Sequence, residues 1–99
     1  MWILHAADAG AGPLTFRLPP GAIKTVGRAP RADFIVDAAL VSRLHCRLEA
    51  DDTTLQVVDL ASTNGTYVND KRIDRARLQS GDRLRIGRVE MTVERAENA

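Results

Sequence analysis

Three short stretches of this 99-residue chain gather more hydrogen-bonding side chains than strands or turns require. In the first, Val26-Gly27-Arg28-Ala29-Pro30-Arg31, a strand-like run ends in a glycine followed at once by arginine. The second, Val41-Ser42-Arg43-Leu44-His45, puts a hydroxyl, a guanidinium and an imidazole at the entry to an apolar alternation. The third is Ser62-Thr63-Asn64-Gly65-Thr66. Singly, each has an ordinary reading: a solvated arginine, a turn hydroxyl, a packed histidine, an Asn-Gly turn that tolerates positive φ. Together they form a donor set for an anion. Arginine offers a planar fork, hydroxyls add rotatable donors, and turn amides point into the same space. The set suits a phosphomonoester dianion, with a charge of about −1.5 to −2 and three strong acceptor oxygens. An asparagine amide both donates and accepts, so Asn64 can hold the main chain of an extended peptide. These side chains alone do not separate phosphothreonine from phosphoserine or sulfate.

Catalysis finds little support. A nucleophilic arrangement would have to use Ser42, His45 and an acid such as Asp59. No Gly-x-Ser-x-Gly elbow surrounds Ser42, and residues at i and i+3 entering a strand face opposite ways. Two distant histidines and the single Cys46 give no metal-ligand cluster. A phosphatase built on Arg28 would lack both nucleophile and metals. The expectation is a non-enzyme with no metal and no cofactor.

The 14 basic and 13 acidic residues leave a net charge of +1, too little for a nucleic-acid footprint. Arg83, Arg85 and Arg88 alternate with Leu84 and Ile86 as the solvated face of a strand, and no aromatic residue stands among them to stack on bases. No apolar run approaches the roughly 20 residues of a membrane helix. No leader is visible before Trp2-Ile3-Leu4. The expected location is the cytoplasm.

The elements that must position these loops are strands. Leu14 to Leu18 alternates and stops at Pro19-Pro20-Gly21; Leu44, Cys46 and Leu48 alternate with His45, Arg47 and Glu49; Leu55 to Val58, Leu84 with Ile86, and Met91 to Val93 follow. Period-two runs broken about every ten residues predict an all-β sandwich or barrel. The longest helical candidate, Asp70 to Leu78, is flanked by Asn69-Asp70 and Ser80-Gly81-Asp82, which read as hairpin turns. The alternation turns Cys46 inward as a small buried hydrophobe. One domain spans 1–99, with 1–94 folded and 95–99 a frayed polar tail.

Gly27-Arg28, Ser42-Arg43-Leu44-His45, Ser62-Thr63-Asn64-Gly65-Thr66-Tyr67-Val68-Asn69 and Leu78-Gln79-Ser80-Gly81-Asp82-Arg83-Leu84-Arg85-Ile86-Gly87, in this order and spacing, closely resemble a forkhead-associated (FHA) domain of the small bacterial type. The resemblance covers about Leu14 to Val93, with Trp2 to His5 fitting the first strand. It implies a β-sandwich of about eleven mostly antiparallel strands whose loops at one end bind phosphothreonine in an extended peptide. By motif position, Arg28 and Ser42 contact the phosphate, Arg43 adds charge or holds the peptide backbone, Thr63 adds a second phosphate contact, and Asn64 holds the peptide main chain. Gly27, His45, Gly65, Thr66 and Asn69 support the loops. Gly81-Asp82 and Gly87 are turn residues far from the site. The implied partner is a threonine-phosphorylated protein, such as a Ser/Thr kinase or its substrate. The alternative function is a phosphate-independent interaction or self-association module, which some family members are.

Overall fold

Each apolar alternation becomes a pleated strand with one face inward. The computed structural model describes residues 1–8 and 12–96 and contains eleven strands; among the described residues there is no helix. In chain order they are β1 (Trp2–Ala6), β2 (Leu14–Leu18), β3 (Ile23–Gly27), β4 (Phe34–Ile35), β5 (Cys46–Ala50), β6 (Leu55–Asp59), β7 (Thr66–Val68), β8 (Lys71–Ile73), β9 (Arg75–Leu78), β10 (Arg83–Ile86) and β11 (Val89–Arg95). One sheet has the order β2-β1-β11-β10-β7-β8 and the other β4-β3-β5-β6-β9. Only the short β3–β4 pair is parallel. The expected all-β sandwich is what forms.

The inner faces meet in one core. Leu4, Leu84, Ile86, Met91 and Val93 come from the first sheet, and Val26, Leu48, Leu55, Val57 and Leu78 from the second, all essentially sealed from water. Burying each such side chain stabilises the fold by about 1.5–3 kcal/mol, so the core is the main adhesive between the sheets. Phe16 of β2 stacks on Phe34 of β4 with centroids 4.3 Å apart, joining the two sheets at one margin. Cys46 is wholly buried, and burial, with the negative charge of Asp59 adding, pushes its thiol up to about 12. It stays protonated at neutral pH and acts as a small apolar side chain.

Four details differ from the expectations. Asn69-Asp70 is a hairpin turn, with both residues left-handed (φ 50° and 70°) as a two-residue turn of this kind demands. Ser80-Gly81-Asp82 is not. It carries the chain from β9 in one sheet to β10 in the other, tied to β11 by Gly81 N–H to Val93 O and Val93 N–H to Asp82 O. The fifth strand begins at Cys46, so Leu44 and His45 lie in the preceding loop, where the strand alternation no longer dictates the face. The last strand includes Arg95, which pairs with Trp2, and Ala96 N–H donates to Met1 O at 2.8 Å. Residue 95 is therefore paired strand; residues 97–99 of the expected tail lie outside the described residues.

At one end of the sandwich the segments 28–33, 36–45, 60–65 and 87–88 come together. They are cross-linked by Arg28 N–H to Ser42 O, Thr63 N–H to Ser42 Oγ and Asn64 Nδ2–H to Leu40 O. The chain turns back at 28–33 because the Asp33 carboxylate accepts both the N–H and the hydroxyl of Thr25, at 2.9 and 3.1 Å. Those bonds, the backbone one foremost, hold the Asp33 carboxyl below its ordinary range.

Candidate functional site

Arg28 is delivered to this end by Gly27. A Cβ at Gly27 would overlap the Arg43 carbonyl, so only glycine lets β3 run against the 42–45 segment. That closeness permits two backbone bonds, Arg28 N–H to Ser42 O and Ala29 N–H to Arg43 O, both 3.0 Å. The Arg28 side chain is exposed. Its Nε–H donates to Val41 O at 3.1 Å, which aims the guanidinium and leaves its terminal nitrogens without a hydrogen bond among the described residues.

Ser42 is prepared in a different way. Its Oγ accepts the Thr63 N–H at 3.0 Å, so its own proton remains for an acceptor in the groove. Its backbone N–H donates to Nδ1 of His45 at 3.0 Å. The other ring nitrogen lies 2.8 Å from Gly65 O. Since Nδ1 accepts a backbone N–H and Nε2 faces a carbonyl, the bonds select the neutral tautomer protonated on Nε2. His45 is thus a fully buried strap between the two loops. The strand alternation would have put it on the outer face; leaving β5 one residue earlier turns the ring inward.

The 60–65 loop is built around Asp59, at the end of β6. Its carboxylate accepts the Ser62 hydroxyl, the Thr66 hydroxyl at 2.7 Å and the Ser62 N–H at 3.2 Å, while Ser62 Oγ accepts the Gly65 N–H. Burial, the largest influence, pushes the Asp59 carboxyl up, but the hydrogen bonds from Ser62 and Thr66 outweigh it and hold it below the ordinary range. Gly65 is buried with φ 89°, a conformation natural to glycine. The loop presents Thr63 and Asn64, both exposed.

These elements form an open groove lined by Arg28, Ser42, Arg43, Thr63 and Asn64, with Asp37 as an acid on its wall and Leu40, Val41 and Ala61 among its apolar surfaces. All five residues expected to touch ligand line it. Asn64 spends one amide hydrogen on Leu40 O at 3.0 Å, and Leu40 holds a left-handed φ of 71° there. Gly27, His45, Gly65 and Thr66 lie behind the groove and hold its loops. Asn69 does not: at the other end of β7, its carboxamide bonds Asp82 Oδ1 and the Arg83 N–H, pinning the 79–82 turn. Gly87, expected far from the site, is in fact beside it. A Cβ at Gly87 would lie 3.0 Å from the Leu40 carbonyl carbon, so the 87–88 turn supports the groove wall. Asp59 and Ser62 escaped assignment as supports because an acid ending a strand looks like any solvated strand end. The Asp-x-x-Ser spacing of 59 and 62 was the one available signal.

As a nucleophile–base pair, Ser42 and His45 are unconnected: both ring nitrogens face backbone groups, and Asp59 bonds Ser62 and Thr66. Among the described residues no group of three or more His, Cys, Asp or Glu is placed to hold a metal ion. The arrangement is one for binding an anion with fixed donors.

Residues 24–87, about two thirds of the chain, match the family model described as FHA domain. The chain belongs to the FHA family. The FHA domain is 40% identical over 70 residues to the glycogen accumulation regulator GarA of Mycobacterium tuberculosis, covering 71% of this chain and 43% of the regulator. It therefore spans less than half the length of that relative. Two solved FHA domains superpose on it. One comes from a structural and functional analysis of phosphothreonine-dependent FHA domain interactions, with a TM-score of 0.87, 33% identity and 98% of each chain covered. The other is the FhaA FHA domain, complexed with the intracellular domain of another protein, with a TM-score of 0.85, 34% identity and coverage of 95% of this chain and 100% of that one.

Proposed function

We propose that this FHA domain is a non-catalytic reader of phosphothreonine in an extended segment of a partner protein, serving phosphorylation-dependent interaction. One observation carries the reading: Arg28, Ser42 and Thr63 converge on one groove with donors still unspent after the loops have been hydrogen-bonded together. Arg28 and Ser42 hold the phosphate, Thr63 adds a contact and Arg43 adds charge. Asn64 exchanges its bond to Leu40 for bonds to the peptide main chain. Charge-assisted hydrogen bonds are worth about 1.5–3 kcal/mol each, so three or four offset the cost of association and leave micromolar affinity, about −8 kcal/mol. The similarity to an FHA domain studied for phosphothreonine-dependent interactions supports the choice of threonine. The partner is a threonine-phosphorylated protein, a Ser/Thr kinase or its substrate. The compartment is the cytoplasm, where such kinases have ATP; among the described residues, no helix is long and apolar enough to cross a membrane.

Calorimetric titration with phosphothreonine, phosphoserine and unphosphorylated peptide libraries tests the reading. Micromolar binding restricted to phosphothreonine is expected. Absence of binding to every library would transfer the domain to the phosphate-independent interaction modules.

A further inference from the structure

Arg72, in the middle of β8, has no part in the groove just described, yet it stands next to it. It pairs across the sheet with Tyr67, and its side chain covers Gly65. A Cβ at Gly65 would lie 2.8 Å from Arg72 Nε and 3.1 Å from Cζ, so the glycine leaves a seat that the guanidinium occupies. Gly65 is buried although Thr63 and Asn64 just before it are exposed, and Arg72 supplies part of that cover. Arg72 itself is exposed. Other arginines of the sheets are engaged: Arg47 with Glu49 at 2.7 Å, Arg83 with Asp70 at 3.3 Å, and Arg85 on the Tyr67 ring at 4.2 Å. Arg72 has no hydrogen bond or ion pair among the described residues. Its Nε end is fixed by packing while its outer donors face solvent, one residue away from the amide that grips the peptide in the reading above.

We propose that Arg72 forms an anion subsite beside the phosphate groove and reads a carboxylate of the bound peptide, an Asp or Glu flanking the phosphothreonine. The inference rests on the phosphothreonine reading. An extended peptide advances about 3.3 Å per residue, so the acid stands within about three residues of the phosphothreonine. A planar fork suits a carboxylate, and packing against Gly65 lowers the entropy lost on pairing.

The test is titration of the full chain with phosphothreonine peptides that are neutral, or carry Asp at successive flanking positions, each read as the ratio of its affinity to that of the neutral peptide. At least one position should gain about fivefold at low salt, the upper range for an exposed ion pair, and the gain should shrink as salt rises. Arg72→Gln should abolish the ratio and Arg72→Glu should turn it into a loss. The ratio is taken within one variant, so a general loosening cancels. Arg31→Gln, a change to an arginine outside the groove, should retain it. No gain at any position, a gain that survives both Arg72 variants, or a gain lost with Arg31→Gln would each overturn the proposal. If the neutral phosphothreonine peptide binds and no acid helps, only this inference falls; if no phosphothreonine peptide binds, the parent reading falls with it.

Discussion

Gly27 and Arg43 meet backbone to backbone: a Cβ on Gly27 would stand 2.7 Å from the Arg43 carbonyl carbon and 2.9 Å from Leu44 Cα. Neither partner can move as a flexible side chain would. Gly27→Ala is therefore predicted to force β3 and the 42–45 segment apart, straining the bonds Arg28 N–H to Ser42 O and Ala29 N–H to Arg43 O. The expected cost is about 2–3 kcal/mol of stability, typical of overpacking against backbone, with phosphopeptide affinity falling alongside. Urea unfolding measures the first and calorimetry the second; an unchanged unfolding midpoint would contradict the close approach.

Arg28→Ala separates binding from folding. The side chain is exposed and contributes one bond to Val41 O, so the fold should survive with a small loss. Binding of a phosphothreonine peptide should weaken at least thirtyfold, about 2 kcal/mol, because a charged donor pair is removed from the phosphate. Affinity within threefold of the parent would remove Arg28 from the site.

His45→Ala should damage both. It leaves the Ser42 N–H and the Gly65 carbonyl without their ring partners and opens a cavity in a fully buried position. The predicted loss is about 2–4 kcal/mol of stability together with weaker binding. Nitrogen NMR of the parent should find the ring neutral with the proton on Nε2. Lost affinity with an unchanged melting temperature would make His45 a direct ligand contact instead.

Asp59 predicts a pH signature. Its folded carboxyl sits below the unfolded value of about 3.9, since bonds from Ser62 and Thr66 outweigh the opposing effect of burial. The carboxylate therefore adds stability that is fully present above the unfolded value and is lost as pH falls through the lower folded one. Asp59→Asn should lower stability by about 1–2 kcal/mol at pH 7, with the gap to the parent narrowing in acid. Denaturant unfolding from pH 7 to pH 3 reads this directly; a gap that widened in acid would mean the opposite shift.

Much of this was legible in the chain itself. Local chemistry fixes strand type and turn position, so alternation over Leu14–Leu18 and Leu55–Val58 and the breakers between strands determined an all-β sandwich. The order of Arg28, Ser42, Arg43, Thr63 and Asn64 along the sequence determined an anion-binding donor set. What remained hidden depends on which segments become neighbours across the two sheets. His45 reads as an outward strand residue until the strand is seen to begin at Cys46. Gly87 and Arg72 read as an ordinary turn and a solvated strand, yet one supports Leu40 and the other covers Gly65. Asn69 reads as part of the recognition loop but serves the opposite end. A periodic pattern reports which face a side chain takes within its own strand, whereas contacts between loops separated by twenty or more residues are set by sheet order and register. The sequence determined the kind of ligand; the packing of β3 against the 42–45 segment, and of β7 against β8, decided which residues can reach it.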